Sequence, residues 1–468
     1  MECKRSAADD FREWADRFLN FEKTPEKNIF WLDTMNFLCE RLGHPEKKCR
    51  SFHVAGSKGK GSISIMIAKI LEEAGFKTGV YSSPHISDFR ERVATSRGFF
   101  DDDIYSRASE NVIRTVQDSL DDLPAKRPVT WFELVTLFAM ECFKTAGCDW
   151  SVYEVGLGGR LDSTNVILPE CSCISTIELE HTEFLGDTLE KIAFEKGGII
   201  KTGVPVVVAP QSADSVKDVF RKIALEKKSE LIFADEAVKV SELVYKNRIS
   251  PVYKTKLDDK DSSSGMEICL ESDYFSRPIR TKLRMPGDFQ AWNAALASLA
   301  VKKVYPELDE KIIEVGLSKA SLPGRFEVIE SPKEFPGLPF VVLDGAHTER
   351  SVKFTLSTFS KLFGDKIPAH LLFACAADKD AVHIARCFSG RFSRITLTKP
   401  GNTKASNLPG LADAFESAGE KFTMNENYTE AIEEAFSSAA REGVPLLITG
   451  SFYLLAEVKD LLSRKNVV

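Results

Sequence analysis

At 468 residues the chain exceeds what one ordinary hydrophobic core organises, which implies two domains. Its 43% apolar and 28% charged residues are those of a globular protein in water, and no run of about 18 apolar residues is available to span a bilayer. A net charge of −7 excludes a general nucleic-acid binder but leaves room for local basic pockets that take anionic small molecules.

The start, Met1-Glu2-Cys3-Lys4-Arg5-Ser6 followed by Asp9 and Asp10, has no apolar core of a secretory signal, so a cytoplasmic location is expected. Residues 51–55 read as a strand ending at Gly56. From Ser62 the apolar residues Ile63, Met66, Ile67, Ile70, Leu71 and Ala74 fall on one helical face, and Gly75 supplies the stop. Further strands are expected at 78–82, 150–155, 173–177 and 204–209, alternating with helical patterns. Such alternation implies a mainly parallel sheet covered on both faces. Cys171 and Cys173 sit two apart on one strand face. With no C-x-x-C among ten scattered cysteines, they read as buried free thiols rather than metal ligands.

Residues 226–286 break the rhythm with β-prone pieces and a polar tract, Asp258 to Gly265, expected to be a solvated loop. A helix over 290–305 resumes the pattern, and Ser321-Leu322-Pro323-Gly324 suits a hinge. Beyond it, strands are expected at 340–343, 370–375, 395–398 and 446–449, with helices between. The expected architecture is α/β. A P-loop-type N-terminal domain, 1–320, carries a mainly parallel sheet, and a smaller Rossmann-like α/β domain spans 321–468.

Between the first strand and its helix lies Gly56-Ser57-Lys58-Gly59-Lys60-Gly61-Ser62. Glycines here let backbone N–H groups converge on phosphate oxygens, and the helix N-terminus adds its positive end. Lys60 would neutralise the outer phosphates. The match to G-x-x-x-x-G-K-[ST] is imperfect, with Val54 at the first glycine and Gly61 where a hydroxyl residue should follow the lysine. A Mg²⁺ ion would therefore take its hydroxyl elsewhere, from Ser62 or from the serines of Ser82-Ser83-Pro84-His85.

Ligands of an open parallel sheet sit at the carboxyl ends of its strands. Strand 150–155 delivers Glu154 there, just before Gly156-Leu157-Gly158-Gly159-Arg160-Leu161-Asp162. A carboxylate beside a phosphate loop suits Mg²⁺, which takes few protein oxygens, although Glu154 alone would equally suit a structural ion pair. His181 follows the neighbouring strand; by itself it reads as a surface or structural residue, and its position after that strand is what singles it out.

Together these segments resemble the Mur-ligase superfamily, and within it the folylpolyglutamate/dihydrofolate synthases. The resemblance rests on nine segments in order over about residues 50–455. They run from His53-Val-Ala-Gly-Ser-Lys-Gly-Lys-Gly-Ser62 through Gly79–His85, Glu154–Asn165, His181–Gly186 and Phe194–Lys201. The later ones are Met285–Gln290 with Asn293, Pro323–Glu327, Leu343–Thr348 and Gly450–Leu454. The resemblance implies that Ser57, Lys58, Gly59, Lys60, Gly61 and Ser62 hold the ATP phosphates. It makes Ser83, Glu154 and His181 the Mg²⁺ ligands. Lys196 matches a lysine that carries a CO₂-derived carbamate, and with Lys60 and His181 it is placed in the catalytic set. Asn293, Arg325, Asp344 and His347 match nucleotide contacts. Thr130, Trp131, Phe132 and Glu133, with Arg160, Leu161 and Asp162, resemble the pterin-side pocket. Lys58, Glu180 and Gly197 depart from the usual family pattern, Gly197 standing where an alanine that firms the turn at Lys196 is common.

The activity so implied is ligation of L-glutamate to dihydropteroate or to a folylpolyglutamate, with ATP and Mg²⁺. The substrate carboxylate is activated as an acyl phosphate, and two closing domains exclude water from it. A monomer with small-molecule substrates only is expected. Another Mur-type amino-acid ligase and a non-ligating ATP-binding regulator are the rival readings. The aromatic pair Trp131-Phe132 argues against the first and the complete set Ser83, Glu154, His181 and Lys196 against the second.

Overall fold

The computed structural model describes residues 6–20, 31–246, 264–365, 367–402 and 404–465. The chain divides into two compact units. The first is Met1–Glu242, Ile268–Thr281 and Phe289–Ala320; the second is Leu243–Glu267, Lys282–Asp288 and Ser321–Val468.

The first unit is built on seven strands: β1 Arg50–Ala55, β2 Thr78–Tyr81, β3 Val93–Thr95, β4 Trp150–Glu154, β5 Cys171–Ile174, β6 Val206–Val208 and β7 Leu231–Phe233. Their order is β3-β2-β4-β1-β5-β6-β7, and all pairs are parallel except the antiparallel edge pair β2/β3. β1 therefore lies at the centre between β4 and β5, with Val54 opposite Glu154 and Ala55 opposite Ile174. Strands β4, β5 and β6 are buried along their whole length, as a parallel sheet covered on both faces requires. One face is covered by a large core that includes Phe138 and Phe143 of helix α2 Trp131–Thr145, the other by one that includes Ile192, Ala193 and Phe220. Cys171 and Cys173 are both buried free thiols in β5.

Helix α1, Lys60–Glu73, starts two residues earlier than its apolar face suggests, because Gly59 turns the chain at φ 93° and puts Lys60 and Gly61 in the first turn. β5 ends at Ile174, three residues short of expectation. Beyond it Ser175 still bonds Ala55 at the end of β1, and Thr176 and Glu178 pair with the phosphate loop. The β-prone stretch after residue 226 forms a three-stranded sheet, β10-β9-β8, from β8 Lys239–Lys246, β9 Gly265–Glu271 and β10 Ile279–Leu283. Of the polar tract expected to be a solvated loop, 258–263 lie outside the described residues, and Gly265 opens β9.

The sheet of the second unit has six strands: β11 Glu327–Glu330, β12 Phe340–Asp344, β13 His370–Phe373, β14 Arg394–Leu397, β15 Thr423–Met424 and β16 Leu446–Thr449. Their order is β11-β12-β16-β13-β14-β15, parallel except for β11. Its core gathers Phe340, Phe359, Phe373, Phe388 and Phe415. No helix among the described residues is long and apolar enough to cross a membrane.

Candidate active site

The loop from Gly56 to Ser62 leaves the central strand β1 and is held by the chain beyond β5. The Ser57 N–H donates to the Thr176 carbonyl at 2.8 Å, Lys58 bridges Thr176, and the Ser57 hydroxyl both accepts from the Glu178 N–H (3.0 Å) and donates to the Glu178 carbonyl (3.2 Å). Ser62 is buried and its Oγ accepts from Gln290 Nε2 at 3.2 Å, so it is committed to helix α6, Asp288–Val304, in the first unit's part of that helix. Asn293, one turn on, donates to Gln290 Oε1, and a Cβ built on Gly59 would lie 2.8 Å from Asn293 Oδ1. Phosphate loop and Asn293 are thus in direct contact.

Two lysines far apart in sequence meet at this loop. Lys60 Nζ and Lys196 Nζ both donate to the Gly56 carbonyl, at 3.0 and 2.8 Å. Lys196 lies in the last turn of helix α4, Leu189–Gly197, which follows the short helix α3, Thr182–Leu185. Its side chain is 2% exposed and also pairs with Glu180 Oε1 at 2.9 Å, while Lys58 lies 3.9 Å from Glu180 Oε2. Burial, reinforced by Lys60, brings the Lys196 ammonium down to about 8. Burial alone would push Glu180 up, but Lys196, Lys60 and Lys58 outweigh it and hold the carboxyl at about 2. Gly197 does not loosen this turn: a Cβ there would meet Ile223 of helix α5, Asp214–Glu226, at 2.6 Å, so its absence admits close helix packing.

Glu154 is the last residue of β4 and is 4% exposed; its Oε2 accepts from the Ser83 N–H at 3.3 Å. Ser82 turns its hydroxyl to the Glu91 carbonyl instead. His181 caps α3 in the left-handed conformation (φ 46°); although the residue as a whole is exposed, partial desolvation of its ring lowers it below its ordinary value, and Lys196, Lys60 and Lys58 add to this against the pull of Glu180. A neutral imidazole keeps a lone pair for a cation. No group of three or more His, Cys, Asp or Glu among the described residues forms a metal cage. The donor chemistry of one buried carboxylate, one hydroxyl and one neutral imidazole fits an ion that keeps most of its coordination for water and phosphate.

The turn after β4 is internally satisfied. Asp162 is 5% exposed and accepts from the Gly156 and Leu157 N–H groups (3.0 and 2.9 Å) and from the Thr164 N–H and hydroxyl. Leu161 is half-buried in the same turn, and Arg160 forms a forked pair with Glu195, the neighbour of Lys196. Both oxygens of Asp162 are thus engaged within the turn, which makes it an anchor of the turn rather than an open contact.

The expected pterin-side segment opens helix α2. Thr130 and Glu133 form a capping box on α2: the Thr130 N–H and hydroxyl donate to Glu133 Oε2 at 2.7 and 2.8 Å. Trp131 is 3% exposed in the core, edge-on to Phe89 and with the Arg92 guanidinium 4.8 Å from its ring centre. Only Phe132 of the aromatic pair keeps partial exposure, packed on Gly156 at the end of β4.

In the second unit, Asp344 ends β12. Its oxygens accept from the Phe326 and Ala346 N–H groups (2.8 and 3.0 Å) and from the Thr355 hydroxyl. Arg325 stacks over the Phe452 ring at 4.2 Å, and the His347 ring meets the same phenylalanine edge-on at 6.1 Å. Arg325, Asp344 and His347 therefore form one cluster within the second unit. Glu178, Glu180 and Gln290, none assigned a role from sequence, complete the first cluster; their signal was adjacency to the motifs at 181 and 293.

Residues 54–301 match the Mur ligase middle domain and residues 324–452 the Mur ligase glutamate ligase domain. The chain is 32% identical to the dihydrofolate synthase/folylpolyglutamate synthase of Bacillus subtilis (strain 168), over 98% of this chain and 99% of that protein. It belongs to the Mur ligases, in the dihydrofolate/folylpolyglutamate synthase family. Among solved structures, the folylpolyglutamate synthase of Thermotoga maritima is similar with a TM-score of 0.80 at 27% identity, covering 98% of this chain and 97% of that one. A folylpolyglutamate synthase–AMPPCP complex matches with a TM-score of 0.78 at 26% identity, over 97% and 99% of the two chains.

Proposed function

We propose that this Mur ligase joins L-glutamate to dihydropteroate and to folylpolyglutamates, consuming ATP and releasing ADP and phosphate. The observation that carries the reading is the convergence of Lys60 and Lys196 on the carbonyl of Gly56, beside a strand-end carboxylate at Glu154. A carboxylate and an amine do not condense unaided at neutral pH. The loop amides and the lysine at 60 stabilise the charge on a γ-phosphoryl group as the substrate carboxylate attacks it. Glutamate's neutral amine then attacks the acyl phosphate and expels phosphate. In the AMPPCP-bound relative the nucleotide is an ATP analogue, which supports ATP as the phosphoryl donor here.

Ser83, Glu154 and His181 would hold Mg²⁺, which when bound neutralises phosphate charge. Lys196 is the proposed carbamate site: its ammonium would lose one proton, and the neutral amine would add CO₂ and lose a second, turning a cation into an anion in the segment that adjoins His181. Ser57, Lys58, Gly59, Gly61, Ser62 and Asn293 are proposed ATP contacts from residues 1–320, and Arg325, Asp344 and His347 from residues 321–468. Phe132, with Thr130 and the 160–162 turn, is the proposed pterin side. A monomeric cytoplasmic enzyme goes with this reading, and the described cysteines are all free thiols. The deciding experiment is phosphate release from ATP by the purified chain. It should require both glutamate and a pterin carboxylate, and release independent of glutamate would refute ligation.

A further inference from the structure

The extension of β5, residues 175–178, has the phosphate loop on one side and a single side chain on the other. That side chain is Gln211, two residues beyond the Ala209 that still pairs with Ile174. Its Oε1 accepts from the Ile177 N–H at 3.0 Å, and its Nε2 donates to the carbonyls of Ser175 at 3.2 Å and Ala209 at 2.7 Å. An amide offers this pattern of one acceptor and two donors; a carboxylate or an apolar residue does not. Gln211 thus stands in for the strand partner that β5 loses after Ile174.

What it holds is tightly coupled to the loop. The Ser175 N–H donates to the Ala55 carbonyl, and the Ser175 side chain is fully buried against Gly56. A Cβ on Gly56 would fall 1.8 Å from Ser175 Oγ, and Gly56 has φ +134°, so neither residue can move independently. The Gly56 carbonyl is the oxygen that receives Lys60 and Lys196. One residue past Ile177, Glu178 exchanges two hydrogen bonds with Ser57, and the chain continues directly to Glu180 and His181.

We propose that Gln211 is a positioning residue for nucleotide binding: through Ser175 and Ile177 it sets the phosphate loop and the segment that carries His181. This rests on the reading of that loop as the ATP site. It touches no reacting group itself. Displacing a positioned group by less than an ångström costs factors of ten or more.

The test uses the full chain with Gln211→Glu, which keeps the shape but sets an oxygen against two carbonyls, and Gln211→Asn, which falls one methylene short. ADP and AMPPCP affinity is measured by calorimetry, with KM for ATP and for glutamate and the melting temperature alongside. Both variants should bind either nucleotide about 10-fold more weakly and show a matching rise in KM for ATP, while KM for glutamate moves by less than about 2-fold. If Gln211→Glu does not fold, Gln211→Asn decides. Nucleotide affinity within about 2-fold of wild type in the folded variants overturns the positioning role, as does an equal rise in both KM values with a collapse of the melting temperature. A wild-type chain that binds neither nucleotide would overturn the reading of the loop instead.

Discussion

Lys60 and Lys196 share one acceptor but differ in what they can become. Lys60 is fixed in the first turn of α1, whereas Lys196 is buried and held near 8, so a neutral amine is accessible at physiological pH. Lys60→Ala should fold and lose on the order of 10²–10³ in ligation, the usual cost of one transition-state charge partner, read as kcat in a phosphate-release assay. Carbamate formation consumes the neutral amine, so with ¹³C-labelled CO₂ the carbamate resonance should grow as pH rises through about 8 and be missing in Lys196→Ala. A wild-type spectrum without that resonance from pH 7 to 9 would remove Lys196 from that role. Glu154→Ala should raise the Mg²⁺ concentration needed for half-maximal activity, and coincident Mg²⁺ curves would return Glu154 to a purely structural part. At this scale the sequence exposed the motif residues because glycine, lysine and strand-end carboxylates mark chemistry locally. It did not expose Glu180, whose role depends on Lys196 and Lys58 arriving from two other segments. The burial of Trp131 was not legible for the opposite reason: an aromatic has the same signature in a sequence whether it lines a pocket or fills a core.

At the level of elements, strand and helix periodicity located five of the first sheet's seven strands and missed the short edge strands β3 and β7, while the strand ends were set by tertiary pairing. β5 stops at Ile174 because Thr176 and Glu178 are taken by Ser57 and Lys58, a contact between segments more than a hundred residues apart. A second such device joins α6 to helix α7, Glu310–Lys319: Lys302 Nζ meets Glu310 Oε1 at 2.9 Å with both side chains under 5% exposed. Ser276 donates to the same carboxylate through its N–H and hydroxyl. Burial opposes ionisation of Glu310, but Lys302 and Ser276 prevail and hold the carboxyl at about 2, below its ordinary 4.5. Between those values the unfolded chain takes up a proton that the native one refuses. The pair therefore stabilises fully above pH 4.5, and its contribution falls away as pH drops toward 2. Glu310→Gln leaves Lys302 buried without its counter-charge and should cost on the order of 3 kcal/mol at pH 7 in urea unfolding. The deficit relative to wild type should shrink below pH 4.5; a constant deficit down to pH 3 would mean that lost packing, not charge, sets the cost.

For the whole molecule the open matter is which carboxylate the ligase accepts. The two ligations share ATP, glutamate and the phosphoryl chemistry, and differ in where the substrate carboxylate is presented. Pteroate is short, so a pterin pocket near the strand ends would bring its carboxylate to the loop, whereas a polyglutamate tail would reach it from outside. Phe132, partly exposed over Gly156 at the end of β4, is the aromatic surface proposed for that deeper entry. Thr130 and Glu133 support it indirectly, since their capping box fixes the start of the helix that carries it. The expected outcome is turnover of both dihydropteroate and tetrahydrofolate, each with ATP and glutamate. Phe132→Ala should lower kcat/KM for dihydropteroate by about 10-fold or more and for tetrahydrofolate polyglutamates by much less, because only the former depends on stacking at that depth. Wild-type turnover of tetrahydrofolate alone would restrict the enzyme to tail extension, and equal losses on both substrates in Phe132→Ala would place the residue in general support of β4 instead of in the pterin pocket.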